Sequence, residues 1–248
     1  MTAFAPGLRL LLRRQRNLPC LAALARACGM MQSGRLDAGC GVTQRQARPG
    51  FPAQAPQHDS NSRLMALKST IYKAELQIAD MDRHYYADHA LTIARHPSET
   101  DERMMVRLLA FAMNANERLE FCKGLSDVDE PDLWRTDLTG RIEQWIDVGQ
   151  PDDRRLLKAC GRADQVWLCV YSGRVADLWW QPIRGKLERA RNLTVISLAE
   201  GVAAALAKLA QRTMRLQCTI QDGQVWIGAA DTDPVPIEWT VLKEPAAR

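Results

Sequence analysis

The side chains best placed to do chemistry in this 248-residue chain are carboxylates. Glu99, Asp101 and Glu102 fall in one short stretch, residues 126–132 (SDVDEPD) form a second acidic, turn-rich one, and Glu143 and Asp147 follow four residues apart. Carboxylates are hard oxygen donors, the ligand type able to hold a cation. An extended strand through Glu143 and Asp147 puts both on one face, yet four residues at about 3.3 Å each separate them by roughly 13 Å. They cannot share one ion, so each needs a partner from a neighbouring element.

Other chemistries are less well served. The seven cysteines (20, 28, 40, 122, 160, 169 and 218) are odd in number and show no CxxC or Cys/His spacing. That argues against a disulfide framework, a disulfide-linked partner and a structural zinc site, and for buried thiols in a reducing compartment. His84, His89 and His96 lack the spacing of metal ligands on one helix and read as hydrogen-bonded structural residues. No Ser/His/Asp order, P-loop or GxGxxG is present. Trp145 and the Trp179-Trp180 pair read as core rather than as platforms for stacked bases.

Charge divides the chain. Residues 1–64 carry nine arginines against only Asp37 and Asp59, a net +7, which leaves 24 cations and 27 anions, −3, for residues 65–248. The overall +4 is therefore a property of the leader. A slightly acidic body gives no electrostatic reason for tight non-specific nucleic-acid binding. No apolar run approaches the ~20 residues of a membrane span, and Arg13, Arg14, Arg16 and Arg26 interrupt the apolar patches near the start. From 30 to 63 the chain has Gly, Gln, Ser and Pro without apolar period, the profile of a segment that cannot order itself. The expected organisation is thus a disordered leader, either targeting sequence or translated upstream sequence with Met65 the true start, followed by one cytoplasmic α/β domain over 65–248.

The elements that must position the carboxylates follow from periodicity. Residues 67–80 and 84–94 read as an antiparallel hairpin. Ser98 is the expected N-cap of an amphipathic helix over roughly 99–115, with Glu99 and Glu102 in its first turn. Strands are expected over 118–125 and 138–148. Pro151 opens a helix of about twelve residues, a buried strand spans 166–171, and a helix bent at Pro182 covers 174–189. A strand at 192–198 and a helix at 199–211 precede closing strands at 213–219, 224–227 and 236–241. The strand–helix rhythm from 138 to 211 implies parallel strands, the flanking hairpins antiparallel ones, so one mixed central sheet with flanking helices is expected.

Residues 65–73 (MALKSTIYK), 94–109 (ARHPSETDERMMVRLL), 129–134 (DEPDLW), 140–159 (GRIEQWIDVGQPDDRRLLKA), 178–181 (LWWQ) and 212–223 (RTMRLQCTIQDG) together resemble the YaeQ family of small bacterial proteins. The resemblance covers nearly all of 65–248 and none of 1–64. It implies a variant of the PD-(D/E)XK, restriction-endonuclease-like core: helix 99–115, strands near 118–125, 131–139 and 140–148, helix 151–162 and strand 166–171. Active members of that superfamily hold Mg²⁺ with carboxylates of the second and third strands and often a Glu of the first helix, assisted by a lysine two residues past the third-strand acid.

Carried onto this sequence, the resemblance points to Asp147, Asp132 or Asp137, and Glu102 (or Glu99), with Asp147, Asp137 and Glu102 as the metal set. Gly149 stands where the lysine belongs, so Arg155 or Lys158, or Arg154, would have to replace it. Two functions follow as expectations. One is a Mg²⁺-dependent phosphodiesterase or nuclease acting on nucleic acid. The other, motivated by Gly149 and the acidic body, is a catalytically silent binding or regulatory module on the same scaffold.

Overall fold

The computed structural model describes residues 69–123, 127 and 129–246, all within one compact unit of the chain. The expectations for residues 1–64 and for a strand end at 124–125 lie outside the described residues. The first elements are β1 (Thr70–Asp80), β2 (Tyr85–Arg95), α1 (Asp101–Met113), β3 (Leu119–Phe121), β4 (Leu133–Thr136) and β5 (Ile142–Val148). Then come α2 (Asp153–Arg162), β6 (Ala163–Val170), α3 (Arg174–Leu187), β7 (Leu193–Leu198) and α4 (Val202–Ala207). β8 (Thr213–Gln221), β9 (Gln224–Ala229), β10 (Val235–Ile237) and β11 (Trp239–Lys243) close the chain.

The strands form two mixed sheets, in the orders β10-β9-β8-β1-β2 and β11-β7-β6-β5-β4-β3, rather than the single central sheet expected. The division has a local cause. The apolar run at 235–243 is not one strand: β10 pairs with β9 and β11 with β7. Between them Glu238 gives its carbonyl to the Ala199 amide at 2.8 Å. The chain thus steps from one sheet to the other within a single residue.

Alternation along the strands explains the layers. In the five-stranded sheet, Tyr72, Ala74, Leu76 and Ile78 of β1 and Met214, Leu216 and Cys218 of β8 are buried while their neighbours face solvent. They pack on α1, whose Met104, Leu108 and Phe111 also meet Ile146, Val148, Cys169 and Ile196 of the six-stranded sheet. The opposite face of that sheet presents Trp145, Val166 and Leu168 to Leu156 of α2 and Trp180 and Leu187 of α3. Both faces being covered, β6 and β7 read as near-continuous apolar runs, and β5, β6 and β7 are parallel as the rhythm implies. The tryptophans at 145 and 180 are core residues.

Caps shift several boundaries. Thr100, not Ser98, caps α1, accepting the Arg103 amide at 3.2 Å. The Ser98 hydroxyl is engaged instead with His96 Nδ1 at 2.6 Å. Glu99 consequently sits outside the helix and is free to turn inward. Asp152 caps α2 through the Arg155 amide at 2.6 Å, which puts Pro151 just before the cap rather than at the first helical position. α3 runs through Pro182. α4 begins only after Gly201 at φ 87° and is far shorter than the 199–211 expected. At the β8–β9 connection, Asp222 and Gly223 both have positive φ (50° and 71°), the requirement of a type I′ two-residue hairpin.

Among the described residues, no helix is long and apolar enough to cross a membrane. Cys122, Cys160, Cys169 and Cys218 are free thiols.

Candidate functional site

β5 ends at Val148 and the parallel β6 at Val170, side by side. Beyond their ends a cavity of about 430 Å³ opens, walled by Arg103 of α1, Asp127, Asp132, Asp147, residues 148–151, Arg155 of α2, Tyr171 and Ser172. The C-terminal ends of parallel strands are where α/β sheets characteristically leave a crevice. Strain collects here too: Ser172 has φ 105°, a conformation that only glycine adopts cheaply.

Three buried carboxylates meet three arginines. Asp147 is held by Arg155, Nη2 to Oδ1 at 2.9 Å and Nε to Oδ2 at 3.1 Å, and Trp145 Nε1 donates to Oδ2 at 2.9 Å. Asp132 precedes β4 and receives Arg103 Nη2 at 2.8 Å from both oxygens, with the Val148 amide on Oδ2 at 2.8 Å. Glu99 accepts Arg103 Nη1 at 2.7 Å and Arg107 Nη1 at 3.0 and 2.9 Å. Arg107 Nε lies 3.5 Å from Asp132 Oδ1, so Arg107, like Arg103, bridges Glu99 and Asp132. Burial pushes the Asp132 carboxyl above its ordinary value, and Arg103 and Arg107 only partly pull it back. For Arg103 burial works against the charge, but Asp132 and Glu99 outweigh it and hold the guanidinium above its usual value. Burial likewise raises Tyr171, opposed by Arg103 and assisted by Glu102.

This donor set does not fit a divalent cation. Every oxygen of Glu99, Asp132 and Asp147 already accepts a hydrogen bond, and the three negative charges are matched by three guanidinium groups. A Mg²⁺ ion needs near-octahedral oxygen ligands and would have to displace those arginines. Among the described residues, no group of three or more His, Cys, Asp or Glu is disposed to hold a metal.

The structure brings Asp132, Asp147 and Arg155 to one cavity and ties Glu99 to Arg103 of its wall, while Asp137, Arg154 and Lys158 do not line it. Asp137 lies in the β4–β5 turn, at the far end of the hairpin from Asp147. There its Oδ1 accepts the amides of Thr139 and Arg141 at 2.8 and 2.9 Å and the Thr139 hydroxyl at 2.7 Å. Glu102 is exposed on the first turn of α1. Lys158 is exposed on α2 and pairs with Asp129. Arg154 is exposed, and Glu143 pairs with Arg118 and Arg135 at 2.9 and 2.8 Å. Asp137 and Asp147 therefore do not converge. Gly149, where the resemblance implies a lysine, has φ 105° and open space about it, so the backbone there is shaped for glycine.

Sequence reasoning passed over Arg103 and Arg107. Their signal was available: they stand four residues apart, one helical turn, in a helix whose other buried residues are all apolar. Ser172 carried no comparable signal.

Two mixed sheets around a central helix, with an ion-paired cavity at the ends of parallel strands, define a two-sheet α/β protein. The YaeQ protein family matches this chain over residues 65–238, and the chain belongs to that family. It is 50% identical to the uncharacterized protein YaeQ of Salmonella typhi over 183 residues, 73% of this chain and 100% of that protein. The corresponding protein of Escherichia coli K12 is 47% identical over the same shares. Among solved structures, the YaeQ protein of Xanthomonas axonopodis pv. citri superposes with a TM-score of 0.68 at 51% identity, covering 71% of this chain and 99% of that one. That of Pseudomonas syringae gives 0.67 at 40% identity, covering 71% and 97%.

Proposed function

We propose that the six-stranded sheet is a PD-(D/E)XK-like core used as a metal-independent binding module, not as a phosphodiesterase. The succession α1-β3-β4-β5-α2-β6, with β3 to β6 as neighbours in one sheet, agrees with that core. The observation that carries the binding reading is the saturation of Asp132 and Asp147 by Arg103, Arg155, Trp145 and the Val148 amide. A polar ligand entering the cavity would meet Tyr171, Ser172 and residues 148–150 together with fixed charges of both signs. The −3 charge of residues 65–248 gives no general attraction to nucleic acid.

One observation favours the second reading, a Mg²⁺-dependent phosphodiesterase: two acids of the implied set, Asp132 and Asp147, line the same cavity. Calorimetric titration of the full chain with Mg²⁺ and with Mn²⁺ separates the two, run beside Asp147→Ala and a chromogenic phosphodiester assay. The binding reading expects no saturable heat and no cleavage above background. Saturable ion binding that disappears in Asp147→Ala would overturn it.

A further inference from the structure

The two sheets have four outer edges, and three of them are blunted. β10 is three residues long and contains Pro236. β3 is also three residues. β11 breaks register between Val241 and Lys243. Short strands, proline, irregularities and lysine are the devices by which natural sheets avoid pairing with another chain.

β2 has none of them. It runs for eleven residues (YYADHALTIAR), pairs with β1 in unbroken register, contains no proline, and carries charge only at Asp88 and Arg95. Among the described residues nothing pairs with its outer edge. The core beneath it is also incompletely covered. The inward-facing residues of the neighbouring β1 are buried, whereas Tyr85, Ala87, His89 and Leu91 of β2 are only half-buried, and Ile93 alone is fully enclosed.

We propose that β2 pairs with β2 of a second copy of this chain, about a two-fold axis through Ala90, to make one ten-stranded sheet. The sequence of the strand is self-complementary in this register. Ala90 is its midpoint, so all eleven residues find partners: Tyr86 opposite Ala94, Asp88 opposite Thr92, Ala87 opposite Ile93, His89 opposite Leu91 and Tyr85 opposite Arg95. No like charges oppose each other, which directly facing strands penalise. At the axis the two facing side chains are alanines, which permit close approach. A two-fold contact of one patch with itself is the commonest route to a homo-oligomer.

Light scattering coupled to gel filtration, with sedimentation velocity, tests this on the full chain. The wild type should show twice the chain mass. Ala90 faces solvent in the monomer, so Ala90→Lys should fold with an unchanged circular dichroism spectrum. It sets two ammonium groups against each other at the axis and should weaken association at least tenfold. Ala90→Cys should form a covalent dimer under mild oxidant above the level of the wild type, because directly opposed Cβ atoms lie about 4.5–5.5 Å apart. A monomeric wild type, a dimer that Ala90→Lys leaves intact, or no cross-link beyond wild type in Ala90→Cys would overturn the proposal. A monomer would mean that some other segment or protein covers the edge.

Discussion

Arg155 holds Asp147 side-on, Nε and Nη2 matched to the two carboxylate oxygens at 3.1 and 2.9 Å, with the acid 3% exposed and the arginine 25%. The same Nη2 also donates to the Glu130 carbonyl at 2.8 Å, so one guanidinium ties β5, α2 and the loop before β4. In such a pair the desolvation of the buried partner is large, and its attraction to the cation must offset it.

Removing the cation alone should therefore be costly. Arg155→Met leaves Asp147 buried without its counter-charge and should destabilise by about 2–3 kcal/mol, below the range for fully buried pairs because Arg155 is partly solvated. Urea unfolding of Arg155→Met, Asp147→Leu and the double variant should give a coupling of about 1–3 kcal/mol. Strict additivity would show that the pair is ornamental.

Asp132 makes a pH-dependent contribution of defined sign. Its carboxyl is held above the ordinary 3.8 chiefly by burial, so the folded state keeps that proton more tightly than the unfolded one. The resulting stabilisation is complete below the ordinary value and is lost as pH rises through the higher folded value. Compared by urea unfolding, wild type should lose stability relative to Asp132→Asn across that window. A difference that grows in favour of wild type with rising pH contradicts the assignment.

His89 acts in the opposite direction. Its ring lies edge-on to Phe111 at 5.0 Å and bonds the Tyr85 hydroxyl at 3.0 Å, and burial depresses it below the ordinary 6.5. The unfolded chain then binds the proton more readily. The stability contribution is intact above 6.5 and is lost as pH falls below it toward the folded value. Thermal melts of wild type and His89→Gln should diverge less at low pH than at neutral pH, and parallel curves would exclude the effect.

Gly149 does not readily accept a lysine. At φ 105° a side chain is strained whatever the space around it, so Gly149→Lys should cost about 1–3 kcal/mol. It should also leave Mg²⁺ titrations flat, because the carboxylates remain paired with arginine. Calorimetry and urea unfolding on one preparation check both halves.

Much of the architecture is readable in short windows of sequence. The β1–β2 hairpin follows from eleven-residue runs flanking a turn, and the parallel β5–β6–β7 from apolar strands alternating with helices. The division into two sheets is not, because 236–241 reads as one strand and only Glu238 splits it. Nor is the parallel pairing of β1 with β8 visible, since no local property of either strand names the other. At the site, Asp132, Asp147 and Arg155 were nominated by resemblance and do share a cavity. Asp137 was nominated with them, but spacing along a chain does not reveal which end of a hairpin an acid occupies, and Glu102 of α1 is exposed. The ion-pair lattice stayed hidden because Thr100, not Ser98, caps α1 and so releases Glu99 toward Arg103 and Arg107.

The β1–β8 ladder has a consequence for biosynthesis. Each of its pairs, such as Lys73 with Thr213, joins residues 140 positions apart. A hairpin made early on the ribosome must therefore wait, one edge bare, while nearly the whole domain is translated before its parallel neighbour arrives. Contacts of such separation slow folding and lengthen the exposure of sticky intermediates. Chains halted before residue 213 should be handed to chaperones rather than fold at the tunnel exit.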